Sequence, residues 1–213
     1  MDDSDRRATV TVTGTGRVER AADLALATFV VEATRPTAAD ARATAAEAAA
    51  KVLDALAAAG VARADLRTAG LDLSPNWDHE GNRPVRRGFT VSNRIGATVR
   101  DLELVGRILD AGLESGATGL DGVQFLLGDQ APALEEARRL AVADARARAA
   151  TIAEAAGRAL GALVAIVEGA PIPSPRPRAE MRMAAFAAAD APTPVLPGRI
   201  EVTVSVSAEW ELA

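Results

Sequence analysis

The chain has 213 residues, a formal net charge of -5, no cysteine and an aromatic share of 3%. The missing cysteines exclude disulfides, thiolate catalysis and zinc–thiolate sites. A net acidic chain also lacks the dense cationic surface that phosphate contacts require, so nucleic acid is not an expected partner.

Residues 1–7 read Met-Asp-Asp-Ser-Asp-Arg-Arg and are expected to be a disordered tail, with 8–213 forming one domain. Ala8 to Thr13 alternates apolar residues with threonine, the pattern of a half-exposed strand. Gly14-Thr15-Gly16 is expected to be a tight turn. Leu24 to Thr34 predicts a second strand, closed by Pro36. Thr37 is a favourable N-cap with Asp40 three residues on, a variant of the capping box. The helix it opens should run to Ala59, with Gly60 as its stop. Leu66 to Leu73 predicts a third strand ended by Ser74-Pro75-Asn76, and 76–88 a polar loop. Phe89 to Val99 alternates again as a fourth strand, although polar Asn93 interrupts its apolar face.

Asp101 is placed to cap a second helix bearing Leu102, Val105, Ile108 and Leu109, and Gly119 to Leu127 predicts a fifth strand. Asp129 and Pro132 then open a long third helix. Leu134, Ala137, Ala141, Ala145, Ala149, Ile152 and Ala156 fall on one of its faces, and Arg138, Arg139, Asp144, Arg146, Arg148 and Glu154 on the other. Leu163 to Val167 has the composition of a buried strand. Seven prolines punctuate 170–197, an irregular excursion in which Ala179 to Ala189 has the composition of a short helix. Ile200 to Leu212 then alternates strictly, a long final strand. The order predicts an α/β (α+β) fold: a mixed sheet with about three helices on one face, parallel pairs around each helix and a long C-terminal antiparallel strand.

Taken in order, VTVTGTGRVE, AAAGVARADLRTAGLDLSP, GFTVSNRIGATVRDLELVGRILDAGLESGATGLDGVQF, EEARRLAVADARARAATIAEAAGRALGALVAIVEG and PGRIEVTVSVSAEWEL resemble the SIMPL-domain family. These are bacterial proteins that include periplasmic and outer-surface immunogenic members. The resemblance spans nearly the whole chain outside the tails. It implies an α/β fold with a mixed sheet, assembly into oligomers, and an envelope or stress-related role. It brings no catalytic residues and no cofactor.

The residues themselves offer few chemical sites. Gly14-Thr15-Gly16 lacks the third glycine of a dinucleotide fingerprint and precedes a strand, so no helix N-terminus is available for a pyrophosphate. Asp72, at the end of the third strand, and Asp78, His79 and Glu80 on the following loop are candidate metal or hydrolytic groups. A flexible loop fixes no ligand geometry, however, and His79 is the only histidine, so no His-based triad exists. No catalytic, metal or cofactor residue is therefore assigned.

Met181, Met183 and Phe186 on the 176–190 arm are candidate interaction residues, apolar groups on an irregular segment. Trp77 and Trp210 are candidate amphipathic anchors. The leading expectation is a non-enzymatic homo-oligomer, its self-contacts supplied by sheet edges, the last strand and the arm. The alternatives are an adaptor that captures a protein partner through the arm or the Arg138–Arg148 helix face, and a hydrolase using the Asp72–Glu80 loop. No basic-then-apolar leader and no 20-residue apolar span is present. The chain as written reads as cytoplasmic, and as periplasmic or extracytoplasmic if a leader has been removed.

Overall fold

A computed structural model describes residues 8–81, 83–169 and 195–213. They contain β1 (Thr9–Ala21), β2 (Leu24–Arg35), α1 (Ala38–Ala58), β3 (Leu66–Glu80), β4 (Arg83–Val99), α2 (Val105–Glu114), β5 (Gly119–Leu126), α3 (Ala131–Ala155), β6 (Leu160–Glu168) and β7 (Arg199–Leu212). The chain divides into two compact units, one built from β1, α3, β6 and β7 and the other from the contiguous stretch β2 to β5.

The contiguous unit is a four-stranded sheet in the order β3-β4-β2-β5, every neighbouring pair antiparallel. This is the split βαβ arrangement, ferredoxin-like in its order of elements. Each helix does join two strands that run the same way, but a third strand is inserted between them. The parallel ladders expected around the helices are therefore absent, and the α+β class is realised in antiparallel sheets.

Thr37 caps α1 as its sequence indicates: its hydroxyl accepts from the Asp40 backbone N–H at 3.1 Å and donates to the Asp40 carboxylate at 2.7 Å. Asp101 accepts from the Glu103 N–H at 3.1 Å to start the short 3-10 turn Leu102–Leu104 that leads into α2. The core under the helices is assembled from Phe29, Val31, Val52, Leu56, Ile95 and Ile108, all fully buried.

The 76–88 segment is strand rather than loop. β3 and β4 remain paired as far as Glu80 opposite Arg83, with a register shift between Asn76 and Trp77. Period-2 alternation is lost there because this hairpin extension has no helix over it: residues 71–78 are all exposed. A strand solvated on both faces carries no apolar signal to read.

The other unit is a three-stranded antiparallel sheet in the order β1-β7-β6, with α3 on one face. Gly14-Thr15-Gly16 is not a turn but lies inside β1, paired with Val206, Ser205 and Val204 of β7. The glycines are there because α3 lies almost on the strand. A Cβ at Gly14 would stand 2.2 Å from the Ala141 carbonyl oxygen, and one at Gly16 1.9 Å from that of Ala137. The helix meets this surface through Ala133, Ala137, Ala141, Ala145, Ala149 and Ala153, all buried at a strict four-residue spacing. Leu134 is only partly buried, while Ile152 and Ala156 are exposed, so the observed stripe is narrower than the one predicted.

β7 is the central strand, and Val202, Val204, Val206, Ala208 and Trp210 point from it into the core. Both of its edges are therefore occupied, and it cannot supply a free edge to a second molecule. β6, expected to be buried, is the outer strand: Leu163, Val164, Ile166 and Val167 are 49, 53, 43 and 64% exposed.

Gly16→Ala should cost about 3 kcal/mol, the upper end for overpacking a core. Urea denaturation followed by circular dichroism measures it; a variant as stable as the parent would mean that the close approach of α3 is not a constraint.

Candidate functional site

Asp72 and Asp78 on β3 do not converge. Asp72 faces Ser92 across the ladder and Asp78 faces Val85, and six residues of extended strand separate them by about 20 Å. Asp78 is instead ion-paired with Arg87 at 3.4 Å. Among the described residues no group of three or more His, Cys, Asp or Glu side chains is placed to hold a metal ion. Among the described residues, two buried polar atoms, Ser92 Oγ and Asn93 Oδ1, have no hydrogen-bond partner. They belong to consecutive residues of β4 and so project from opposite faces of the sheet, and make no joint site.

The arginine face of α3 is largely neutralised. Arg138 meets both carboxylate oxygens of Glu168 on β6 at 3.0 Å, Arg148 pairs with Asp144 at 2.9 Å, and Arg139 pairs with Glu135. Arg146 has no acidic partner among the described residues, and it borders an open groove along α3 together with Val142, Ala143, Ala147 and Ala150. A single free guanidinium is a poor footprint for a polyanion, whose affinity rests on many neutralised phosphates.

Asp144 does structural work. Its carboxylate accepts from the Thr15 backbone N–H at 2.9 Å, tying α3 to β1 between the two glycines. That hydrogen bond, followed by the one from Arg148, holds its carboxyl below the ordinary value of 3.8. The folded state therefore favours the carboxylate. The stabilisation is complete at neutral pH and is lost as pH falls through the lowered native value.

Of the candidate interaction residues, Met181, Met183 and Phe186 lie outside the described residues. Trp210 is 5% exposed in the β1-β7-α3 core, opposite Val10 and Leu163, where it packs as ordinary interior. Trp77 is 54% exposed on β3, beyond Leu71 at 65% and Leu73 at 51%. Exposed large apolar side chains lie on the outer strands β3 and β6 and also on the outer face of α3, at Leu140, Val142 and Ile152, with β6 carrying four of them between Leu163 and Val167. That concentration was not read from the sequence for β6, because Leu-Val-Ala-Ile-Val has the composition of a buried strand and of an exposed one alike.

Two antiparallel sheets, each backed by helix, define an α+β protein. The SIMPL family, described as a protein of unknown function (DUF541), matches residues 10–210, and the chain belongs to that family. It is similar to the 26 kDa periplasmic immunogenic protein of Brucella abortus strain S19, at 35% identity over 96% of this chain and 85% of the relative. The protein of the same name in Brucella melitensis biotype 1 is 34% identical over the same shares. The uncharacterized protein YggE of Escherichia coli K12 is 23% identical over 74% of this chain and 64% of its own length. Among the described residues, no helix is long and apolar enough to cross a membrane.

Two measurements test these placements. Trp210→Ala should lower stability by about 3–5 kcal/mol, as for other large core truncations, whereas Trp77→Ala should stay within about 0.5 kcal/mol; equal effects would contradict the assigned burial. Asp144→Asn should lower the melting temperature at pH 7, and the gap to the parent should close as pH is taken below 3.8 and through the native value. A gap that does not change with pH would exclude the carboxylate as its source.

Proposed function

We propose that this chain is a non-enzymatic envelope protein that acts through contacts with other protein surfaces, first among them copies of itself. The observation that carries the reading is β6, an outer strand with apolar side chains exposed on both faces. A solvent-facing edge of that composition is a template for strand pairing, and proteins that remain monomeric usually blunt it with charge or proline. The other outer strands are blunted. β1 carries Arg17 and Glu19, β3 carries Arg67, Asp72 and Pro75, and β5 carries Asp121 at a break in register. The envelope setting draws on the relatives that are named periplasmic. The separation of Asp72 from Asp78 on β3 and the paired arginines of α3 favour contact over catalysis.

Light scattering across a concentration series is the test. The expected result is a defined multiple of 21.9 kDa that survives dilution; a monomer at every concentration would overturn the reading.

A further inference from the structure

We propose that the contact between copies is made by β6 pairing antiparallel with β6 of a second copy about a two-fold axis at Leu163. The inference rests on the self-association proposed above and names the surface that makes it. Three observations lead to it.

The first is position. β7 occupies one edge of β6, and no strand among the described residues occupies the other. The backbone groups on that edge are free to continue the sheet.

The second is composition. From Ala159 to Val167 the chain reads ALGALVAIV with no charged residue. On the helix side, Leu163 lies opposite Trp210 and Ile166 opposite Ala208, yet α3 packs mainly on β1 and β7. Both β6 residues are therefore left uncovered. Val167, opposite Ser207, is exposed on the other face. A second copy would cover both faces of the strand at once.

The third is charge. The uncharged run is bounded by Arg158 at one end and Glu168 at the other, and both are exposed. A two-fold antiparallel pairing superposes opposite ends of the same segment. With the axis at Leu163, each Arg158 faces Glu168 of the second copy, because the two positions lie five residues either side of it. No like charges are brought together anywhere along the seam, where directly opposed like charges would be destabilising. Glu168 is already oriented by Arg138 at 3.0 Å, so its carboxylate is held near the strand end that the second Arg158 would reach. A parallel pairing would instead set Arg158 against Arg158 and Glu168 against Glu168.

The natural chain has no cysteine, so single cysteines report contact without background. Leu163→Cys should form a disulfide-linked dimer on mild oxidation, because the residue on the axis meets its own copy, whereas Thr11→Cys on β1 should stay monomeric on a non-reducing gel. In light scattering, Leu163→Lys should lower the assembly mass at least two-fold and Arg158→Glu should shift the midpoint of dissociation to higher protein concentration. Circular dichroism of both variants should match the parent, since both positions are exposed. An unlinked Leu163→Cys with an assembly that withstands Leu163→Lys would overturn the β6 seam while leaving self-association intact. A parent that is monomeric throughout would overturn both.

Discussion

One contact sets the rest of the β1-β7-β6 unit: the backbone of α3 resting on the backbone of β1. The two approach so closely at Gly14 and Gly16 that there is no room for a side chain on the strand, and only methyl groups fit on the helix. Little apolar area is buried per residue in such a seam. Its cohesion comes from many short dispersion contacts, which weaken steeply with small increases in separation. The Thr15–Asp144 hydrogen bond lies in the same line of contact and fixes the helix along the strand axis. The contiguous unit reaches the same end by another route, filling the space under α1 and α2 with Phe29, Val52, Leu56 and Ile95.

The open faces follow from that packing by simple dimensions. A helix is about 10 Å across and strands are spaced about 4.8 Å apart, so one helix covers two strands and a third remains bare. α3 takes β1 and β7, and β6 is the strand left over. In the other unit α1 sits on β2 and β4, which leaves Leu71 and Leu73 on β3 in solvent although they lie opposite Asn93 and Val91 on the helix side. The apolar exposure on these two strands is thus a by-product of sheets wider than their cover.

Much of this was legible from residues alone. Thr37 caps α1 where local hydrogen bonding demands it, Asp101 caps the 3-10 turn just before α2, Asp129 accepts from the Ala131 N–H at the start of α3, and the strict alternation of β7 could mean nothing but a strand. What failed to show was set by partners distant in sequence. A Gly-Thr-Gly segment reads as a turn until a helix more than a hundred residues later is seen to need the space. An apolar pentapeptide reads as buried because composition does not say which strand will lie at the edge. The order of elements fitted parallel ladders equally well, since only the insertion of β4 between β2 and β3 makes the sheet antiparallel. Of the residues weighed for chemistry, Asp72 and Asp78 lie about six extended residues apart on β3, a distance that the unbroken strand sets and that a loop reading of the same segment leaves open.

The central place of β7 has a consequence for the order in which the molecule can be assembled. Thr9 pairs with Glu211 and Ala21 with Arg199, so the first strand made waits for the last. The stretch from β2 to β5 is continuous and can fold as it is synthesised. β1, α3 and β6, in contrast, share no sheet until the final fourteen-residue strand arrives. Contacts so far apart in sequence form slowly, and throughout that interval β6 is unpaired on both edges. A chain cut short before Arg199 would lose the middle strand of this unit, leaving α3 against β1 but no strand to pair β1 with β6.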